Sequence, residues 1–467
     1  MTRKRRPLGL AATGKGKPPG LPNTSDGSHL SLGVRASRNP LRSRTKFAAI
    51  AALALTAAAC GSSSGGGSSS GPSGNLEFAI FHAFSGPNAA YGPEAAAGCY
   101  PATLEINNAG GILGHKTHCT PVDSKGEPAD AVPAANRMIA SSSSLVGVVG
   151  GGSNEATAVV PLFQQAHIPI FSTTGQSSFD HTNATYFWRI LSPDAAQGSA
   201  MAATTKKLGV TSAATLFGND VAAQGSAPTA IAGVKRLGLK LVAKQTLAVG
   251  QSSYRSEATA MSSAKPQAIV TEADPQTSAT FFSELSQVGS VPKLITDPVS
   301  QEPNWRKAMG GAIGTSLLNK QDYAVVAYSP PTSPAYKKFT SELMASAKQV
   351  PNPSQWNADL YSVADYDSAI ILALAMDAAH SDSPSVYNRY VSKVTAPSSG
   401  ATVVHTYAAG KAALAKGKHI QYVGGVGPIH FDRWHNAGNA FAIERYVNGN
   451  WKASSLVSAA EIKAAAG

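Results

Sequence analysis

Residues 145–175 decide the fold, and they read LVGVVGGGSNEATAVVPLFQQAHIPIFSTTG. The segment opens with a short apolar run, Leu145–Val149, which is typical of a strand buried in a parallel sheet. Three glycines then turn the chain, and the sequence predicts that Ser153 caps a helix that starts around Asn154. That helix leads into a second predicted strand, Ile168–Phe171. The segment is therefore a strand-helix-strand unit of an α/β sheet.

Side-chain hydroxyl groups and free backbone N–H groups are predicted to lie together at one end of this unit. The glycine turn exposes backbone N–H groups at the positive end of the helix, beside the side chains of Ser153 and Asn154. The next strand ends in Thr173, Thr174 and Gly175, at the sheet edge where open α/β sheets usually bind ligands. We predict half of a small-molecule carboxylate site here. A plain turn, with glycines for close packing, is the alternative.

The charge distribution and the turn sequence exclude two classes of ligand. Residues 1–46 contain 11 Lys and Arg residues against the single acid Asp26, so the net charge of +12 falls to +2 in the remainder. A nearly neutral remainder gives no electrostatic basis for nucleic-acid binding. The glycine turn has no Gly-x-x-x-x-Gly-Lys pattern and no nearby lysine. The sequence therefore predicts neither a nucleic-acid nor a nucleotide ligand.

The N-terminal segment 1–59 is predicted to be a leader with a lipoprotein signal peptide. Its uncharged run, Phe47–Ala59, follows basic residues and is too short to span a membrane. Small residues precede Cys60, as in a bacterial lipobox, so we expect Cys60 to be lipidated. Ordinary signal cleavage with a free Cys60 is the alternative, and Val34 is an alternative initiator. Residues 60–74 are predicted to be a flexible Gly/Ser tether.

The other two cysteines are predicted to form a disulfide. Cys99 lies on the first predicted helix and Cys119 on the second predicted strand, and these two elements pack together in a βαβ unit. An exported protein is also in an oxidising compartment, where disulfides persist. His115, His118 and Cys119 fit no established zinc spacing, so no metal site is predicted.

Strands and helices continue to alternate after this unit, as far as a strand at Lys293–Thr296. Repeated βα units of this kind predict parallel sheets, here two. A long helix is predicted over Gln355–His380. The chain closes with a hairpin at Phe441–Trp451, which the turn sequence Val-Asn-Gly-Asn indicates.

Taken together, these features resemble the type I periplasmic solute-binding proteins of branched-chain amino acid ABC transporters, the Leu/Ile/Val-binding family. The similarity spans about residues 75–455. It rests on the order and spacing of five motifs, namely FSGP with YG (84–92), INNAGGILG (106–114), IPI with a following serine (168–172), YDSAI with AMDAA (366–379) and GPIHFD (427–432). The resemblance implies two doubly wound α/β lobes, joined by three crossovers, that close on a ligand. Lobe I would comprise residues 75–193 and 326–432, and lobe II would comprise residues 194–325 and 433–467.

The resemblance also implies a set of ligand-binding residues. Tyr91 would line the pocket from the first lobe, and Tyr361 would cover the ligand side chain. Ser153 and the loop Thr173–Gly175 would hold the ligand carboxylate, which agrees with the independent argument from the helix end.

An acidic residue of the second lobe normally pairs with the ligand ammonium in this family. Asp297 is the candidate, with Asp274 and Glu272 as alternatives, and each of these acids could instead cap a helix or solvate a loop. One departure concerns Ala222, which stands where the family usually carries a tyrosine. Because the loss of an aromatic lid enlarges the pocket, amides, aromatic acids and larger amino acids stay open as ligands beside leucine and valine.

We expect no enzymatic activity. The sequence has no Gly-x-Ser-x-Gly nucleophile motif. His167 lies at the far end of the predicted helix from Ser153, about 20 Å away at 1.5 Å per residue. His430 and His435 are five residues apart and do not share a helix face.

The predicted function is that of a monomeric, extracytoplasmic substrate-binding protein of an ABC importer. A lipid anchor would hold it at the outer face of the bacterial cell membrane, beside its permease subunits. Its ligand would be a branched-chain or related amino acid, bound without a cofactor. The alternatives are a receptor for amides or aromatic acids, and a ligand sensor that signals to a membrane regulator.

Overall fold

The computed structural model describes residues 74–86, 88–438 and 440–467. The predicted lipidation site Cys60 and the leader lie outside these residues. In chain order, the strands are β1 Leu76–His82, β2 Thr117–Asp123, β3 Leu145–Gly150, β4 Ile170–Phe171, β5 Phe187–Trp188, β6 Ser212–Gly218, β7 Lys240–Leu247, β8 Ala268–Glu272, β9 Lys293–Thr296, β10 Asp322–Ala327, β11 Thr402–Val404, β12 Ile420–Gly424, β13 Gly427–Pro428, β14 Phe441–Val447 and β15 Asn450–Val457.

The helices surround these strands, and none in the described part of the chain has both the length and the apolar character needed to cross a membrane. In chain order they are α1 Tyr91–Asn108, α2 Pro128–Ser141, α3 Ser153–Ala166, α4 Asp194–Lys207, α5 Val221–Arg236, α6 Arg255–Ala264, α7 Pro275–Val288, α8 Pro303–Ile313, α9 Thr315–Gln321, α10 Pro334–Ala345, α11 Leu360–Ala379, α12 Pro384–Tyr387, α13 Val391–Thr395, α14 Tyr407–Leu414 and α15 Ala459–Ala466.

The first lobe is built on a parallel sheet in the order β2-β1-β3-β4-β5. Strands β1 and β3 are buried along their whole length, as the apolar runs predict for the centre of such a sheet. Helix α11 packs beside α1 as part of the same core, and its residues from Val363 to Asp377 are all buried. A helix that is buried on every side and mostly apolar fits this interior position.

The predicted start of α11 at Gln355 is wrong, because the helix begins at Leu360. The Asp359 carboxylate caps it by accepting a hydrogen bond from the Ser362 N–H at 2.7 Å. This cap ends the preceding turn and fixes Tyr361 in the first helical turn.

The second lobe contains a seven-stranded sheet in the order β15-β14-β10-β9-β8-β6-β7. Strands β6 to β10 run parallel, and the predicted C-terminal hairpin adds β14 and β15 antiparallel at one edge. Asn448 and Gly449 both have positive φ in the hairpin turn, which is why the Asn-Gly pair predicted it.

The chain crosses between the two sheets three times, after β5, after β10 and after β13. The predicted fold of two α/β lobes with parallel sheets is therefore confirmed. A small third sheet, β11-β12-β13, packs with the first lobe. The lobe boundaries stay a prediction, and β10 ends at Ala327, two residues beyond the predicted position 325.

Within the first lobe, Cys99 and Cys119 form the predicted disulfide. Cys99 lies on α1 and Cys119 on the neighbouring strand β2, so the bond ties a helix to the sheet that it covers. Both cysteines are buried in the first-lobe core.

Candidate functional site

A cavity of about 80 Å³ lies where the carboxyl ends of the two sheets meet. From the first lobe it is lined by Ser153, Thr173 and Gly175, which follow β3 and β4. From the second lobe it is lined by Glu272, the last residue of β8, and by Asp297, which directly follows β9. Leu191, Leu360, Tyr361, Ala327, Pro298 and Phe441 supply most of its apolar wall. The volume is enough for several water molecules, so the site is a cavity between lobes and not a packed core.

The first-lobe wall is formed by the turn before α3. Gly150 and Gly151 have φ of 96° and 88°, a conformation that glycine adopts without strain. The prediction that Ser153 caps the helix is wrong, because Gly152 is the cap residue and Ser153 is the first residue of the helix. Glu155 reaches back and accepts a hydrogen bond from the Gly152 N–H at 3.2 Å. This frees the Ser153 hydroxyl to face the cavity.

Thr174 supports this wall from behind. Its side chain is fully buried, and its hydroxyl lies 3.2 Å from the Ser153 Oγ. The same hydroxyl accepts a hydrogen bond from the Gln176 N–H at 3.2 Å. Thr174 therefore orients Ser153 without lining the cavity, whereas Thr173 and Gly175 line it directly.

The second-lobe wall is acidic. Asp297 is 5% exposed and caps a short 3₁₀ turn, Pro298–Gln301, by accepting the Val299 N–H at 3.3 Å with Oδ2. Its other oxygen, Oδ1, is buried without a hydrogen-bond partner. Burial raises the pKa of Asp297 to about 8, against the opposing effect of the backbone hydrogen bonds.

Glu272 lies on the same wall. It accepts a hydrogen bond from the Ser226 hydroxyl. Burial raises the pKa of Glu272 well above its ordinary value, and the neighbouring charges of Asp297 and Asp194 raise it further. The sequence predicted Glu272 only as an alternative to Asp297. In the structure, both acids line the same cavity.

Asp194 also lines the cavity, and it was not predicted from the sequence as a site residue. It begins α4, and its backbone N–H donates to the Gly175 carbonyl at 2.8 Å. Its carboxylate lies against the Cα atoms of two glycines: a Cβ added at Gly175 would lie 1.6 Å from Oδ1, and one added at Gly225 would lie 2.0 Å from Oδ2. Oδ2 is buried without a partner. Burial raises the pKa of Asp194 to about 7, although the charge of Arg189 opposes this.

The predicted residues Asn154, Asp274 and Tyr91 do not line the cavity. Asp274 caps α7 by accepting the N–H groups of Gln276 and Thr277 at 2.9 and 3.0 Å, which was the alternative role for this acid. Tyr91 instead contacts His82, with ring centroids 5.4 Å apart and the two rings tilted by 47°.

Tyr361 and Ala222 both line the cavity, one from each lobe. Burial, and then the charges of Asp297 and other acids, raise the pKa of the Tyr361 hydroxyl well above its ordinary value. Ala222 lies in the first turn of α5, so the small residue at this position leaves space in the site.

The histidines considered for catalysis have other surroundings. His167 ends α3 and stacks on Tyr186, and His435 stacks on Trp188 with centroids 3.8 Å apart. Across the residues that the structure describes, no three His, Cys, Asp or Glu side chains are grouped to hold a metal ion.

Comparison with known proteins gives matches over nearly all of the described residues. The family model described as "periplasmic binding protein" matches residues 76–443. A Leu/Ile/Val-binding protein of Rhizobium johnstonii is 38% identical over 65 residues, which is 14% of this chain and 18% of the length of that relative.

Solved structures share the fold at low sequence identity. The branched-chain amino acid transporter substrate-binding protein LivJ from Streptococcus pneumoniae, in complex with isoleucine, gives a TM-score of 0.63 at 20% identity, over 82% of this chain and 99% of that one. A solute-binding protein of an ABC transporter from R. palustris, in complex with benzoate, gives 0.65 at 16% identity, over 82% and 96%.

These matches have the two-lobed fold that the strand order shows. The family is one of solute-binding proteins, which confirms the prediction of a binding protein that is not an enzyme. By the match over residues 76–443, the chain belongs to the periplasmic binding protein family, with the type I fold.

Proposed function

We propose that this chain is the extracytoplasmic, lipid-anchored substrate-binding protein of an ABC importer, and that it closes its two lobes on an amino acid. The observation that carries the proposal is the unlike chemistry of the two cavity walls. Ser153, Thr173 and the backbone at Gly175 offer hydroxyl and amide groups on one wall, and Asp297 and Glu272 offer carboxylates on the other. An amino acid has one group that suits each wall.

The two walls divide the ligand's charges between the lobes. A ligand carboxylate accepts hydrogen bonds from the Ser153 hydroxyl and the backbone at the N-terminus of α3, where the helix dipole is positive. A ligand ammonium donates to Asp297. Because both contacts are charge-assisted and lie away from water, they are stronger than the same contacts at the surface. Closure of the lobes is then driven by a ligand that contacts both of them.

An aromatic acid without an amine is a weaker candidate. Some structural relatives are complexes with benzoate or 4-hydroxybenzoate, whereas others contain isoleucine or leucine. A lone carboxylate in this cavity would approach Asp194, Glu272 and Asp297 without a compensating positive charge. The acidic wall therefore favours ligands with an ammonium group.

The proposals of a lipid anchor and of permease partners rest on the sequence. Cys60 follows small residues in the lipobox pattern and precedes the Gly/Ser tether, which suits a receptor held beside a permease. Radioactive palmitate should label the wild-type chain and not Cys60→Ser in the source cell. A permease encoded beside this chain would favour import over the sensor alternative.

A thermal-shift screen tests the ligand class. We expect an L-amino acid to raise the melting temperature of the full chain carrying Cys60→Ser, because a ligand that binds only the folded state stabilises it. Simple amides, benzoate and 4-hydroxybenzoate are the comparison set. A shift with an aromatic acid, and none with any amino acid, would contradict the proposed ligand.

A further inference from the structure

Three carboxyl groups line the cavity, and no lysine, arginine or histidine is among the described residues that line it. The three acids come from separate parts of the chain: Asp194 from the start of α4, Glu272 from the end of β8 and Asp297 from the turn after β9. The charges of Asp297 and Asp194 help to raise the pKa of Glu272, and the charge of Asp194 helps to raise that of Asp297, so the three acids share one electrostatic environment. A single ammonium group carries one positive charge, so it can neutralise only one of the three acids.

The buried oxygens of these acids are not all satisfied within the protein. Asp297 Oδ1 and Asp194 Oδ2 are buried and have no hydrogen-bond partner. Buried carboxylate oxygens are normally hydrogen-bonded, and each exception requires an explanation. Asp297 is 5% exposed and lines the cavity, so a donor that enters the cavity is the group that completes its hydrogen bonding.

Two tyrosines and two further buried glutamates extend the acidic surroundings beyond the three cavity carboxylates. The charges of Glu302 and Glu94 raise the pKa values of both Tyr91 and Tyr361, in addition to burial. The two glutamates are buried and come from opposite lobes. Electron-rich rings beside carboxylates are a favourable setting for an alkylammonium cation.

A monoamino, monocarboxylic ligand leaves this charge unmatched. Its ammonium pairs with one acid and its carboxylate lies at the Ser153 wall, so two cavity acids keep no cationic partner. Burying unpaired carboxylates is costly, and the groups must stay protonated instead. A second ammonium group on the same ligand pairs with another of them.

We propose, resting on the function proposed above, that the ligand carries two ammonium groups, as in a basic amino acid. One ammonium lies at Asp297, the second lies between Glu272 and Asp194, and the carboxylate lies at Ser153. The room that Ala222 leaves on α5 accommodates the longer side chain. The glycines at 175 and 225 leave space for the Asp194 carboxylate at this position.

Three probes of matched length test this assignment by calorimetry on the full chain with Cys60→Ser. L-lysine has both amines and the carboxylate, L-norleucine lacks only the side-chain amine, and 1,5-diaminopentane lacks only the carboxylate. We expect lysine to bind at least tenfold more tightly than norleucine. Ornithine and norvaline repeat the comparison with a chain one carbon shorter.

The outcomes separate the two proposals. Norleucine binding as tightly as lysine overturns the second ammonium and leaves the proposed amino-acid function intact. Diaminopentane binding as tightly as lysine supports the second ammonium and contradicts the carboxylate wall. Benzoate and calcium chloride are further probes, and binding of either one alone overturns both proposals. Binding of none of the probes overturns the second ammonium, and the thermal-shift screen with the other amino acids then decides the proposed function.

Two variants locate the second ammonium. Glu272→Gln keeps the size of the side chain and its contact with Ser226, and we expect it to lower the lysine-to-norleucine affinity ratio at least fivefold. Asp194→Asn is the second test of the same position. Glu127→Gln, an exposed glutamate before α2, is the matched control and should leave the ratio unchanged. A ratio unchanged in both folded cavity variants would overturn the placement.

Discussion

Asp297 combines a structural and a binding role in one side chain. Oδ2 caps the turn after β9, while Oδ1 has no partner inside the protein. An asparagine can keep the cap, because its side-chain oxygen accepts the same N–H bond. It cannot keep the negative charge. The residue is therefore suited to a substitution that separates folding from binding.

We predict that Asp297→Asn weakens the binding of an amino-acid ligand about a hundredfold and leaves the melting temperature of the free protein unchanged or higher. The loss follows from removing one partner of a buried, charge-assisted contact, worth about 3 kcal/mol. Calorimetry on the two folded proteins measures it. Asp130→Asn, at an exposed ion pair with Lys125, is the control. An affinity unchanged in Asp297→Asn removes this residue from the site.

At the scale of elements, close helix contacts hold the parts of each lobe together. Helices α4 and α5 cross at Gly198, where an added Cβ would lie 2.1 Å from the Ser226 carbonyl oxygen and 2.3 Å from the Thr229 Oγ1. Both helices bring residues to the cavity, namely Asp194 and Ala222. The spacing of this helix pair therefore affects the second-lobe wall.

Gly198→Ala should destabilise the fold by about 1–3 kcal/mol, since the methyl group overpacks a backbone contact. The control is Gly311→Ala, because Gly311 is also inside a helix but has open space around its Cα. That change should raise stability by up to about 1 kcal/mol, since alanine favours the helix. Thermal melting of the two variants checks the difference, and an equal effect in both would contradict the packing argument.

The disulfide acts between α1 and β2. Cys99 and Cys119 are 20 residues apart, and closing a loop of this length in the unfolded chain stabilises the fold by about 3 kcal/mol. We predict that the Cys99→Ala/Cys119→Ala double variant melts at a lower temperature than the parent chain. Dithiothreitol should lower the melting temperature of the parent and not that of the double variant. Equal melting of the two oxidised proteins would show that the bond adds no stability.

At the scale of the whole molecule, the lobes bury acidic groups between them. Burial raises the pKa of Asp194 to about 7 and that of Asp297 to about 8, compared with 3.8 in an exposed aspartate. In the folded protein these groups hold protons that the unfolded chain has already lost. The free protein therefore loses stability as the pH rises towards these values.

We predict that the stability of the free protein falls between pH 6.5 and pH 8.5, by up to about 1.4 kcal/mol per pH unit for each proton involved. His82 acts in the opposite direction mainly between about pH 4 and pH 6.5 and fades out above pH 6.5, because burial lowers its pKa from 6.5 to about 4. Other charged groups act on the two aspartates, namely Arg189 and Asp180 on Asp194, and Asp220 on Asp297.

Urea denaturation at pH 6.5, 7.5 and 8.5 tests this dependence. The double variant Asp194→Asn/Asp297→Asn should show a flatter profile, and an equally steep profile would assign the effect to other groups. An ammonium ligand should bind more tightly as the pH rises over the same range, because it pairs with the ionised carboxylates.

The sequence by itself determined the architecture. Apolar runs predicted the strands, and β9 occupies the predicted residues Lys293–Thr296 because its boundaries are marked by local breaks. The glycine turn after β3 and the Asn-Gly hairpin could also be predicted from local sequence, because both turns need residues that adopt a positive φ. The helix start at Leu360 was missed, because several polar residues before it could have served as the cap.

Only the tertiary structure decided the composition of the site. Glu272, Asp274 and Asp297 all lie at strand ends of the second lobe, yet Asp274 caps a helix while the other two face the cavity. Asp194 was not predicted, because the space for its carboxylate is made by glycines on two other segments. A sequence shows which residues end a strand. The packing of the two lobes against each other decides which carboxylates are buried in the same cavity, and the lobes are built from segments that are distant along the chain.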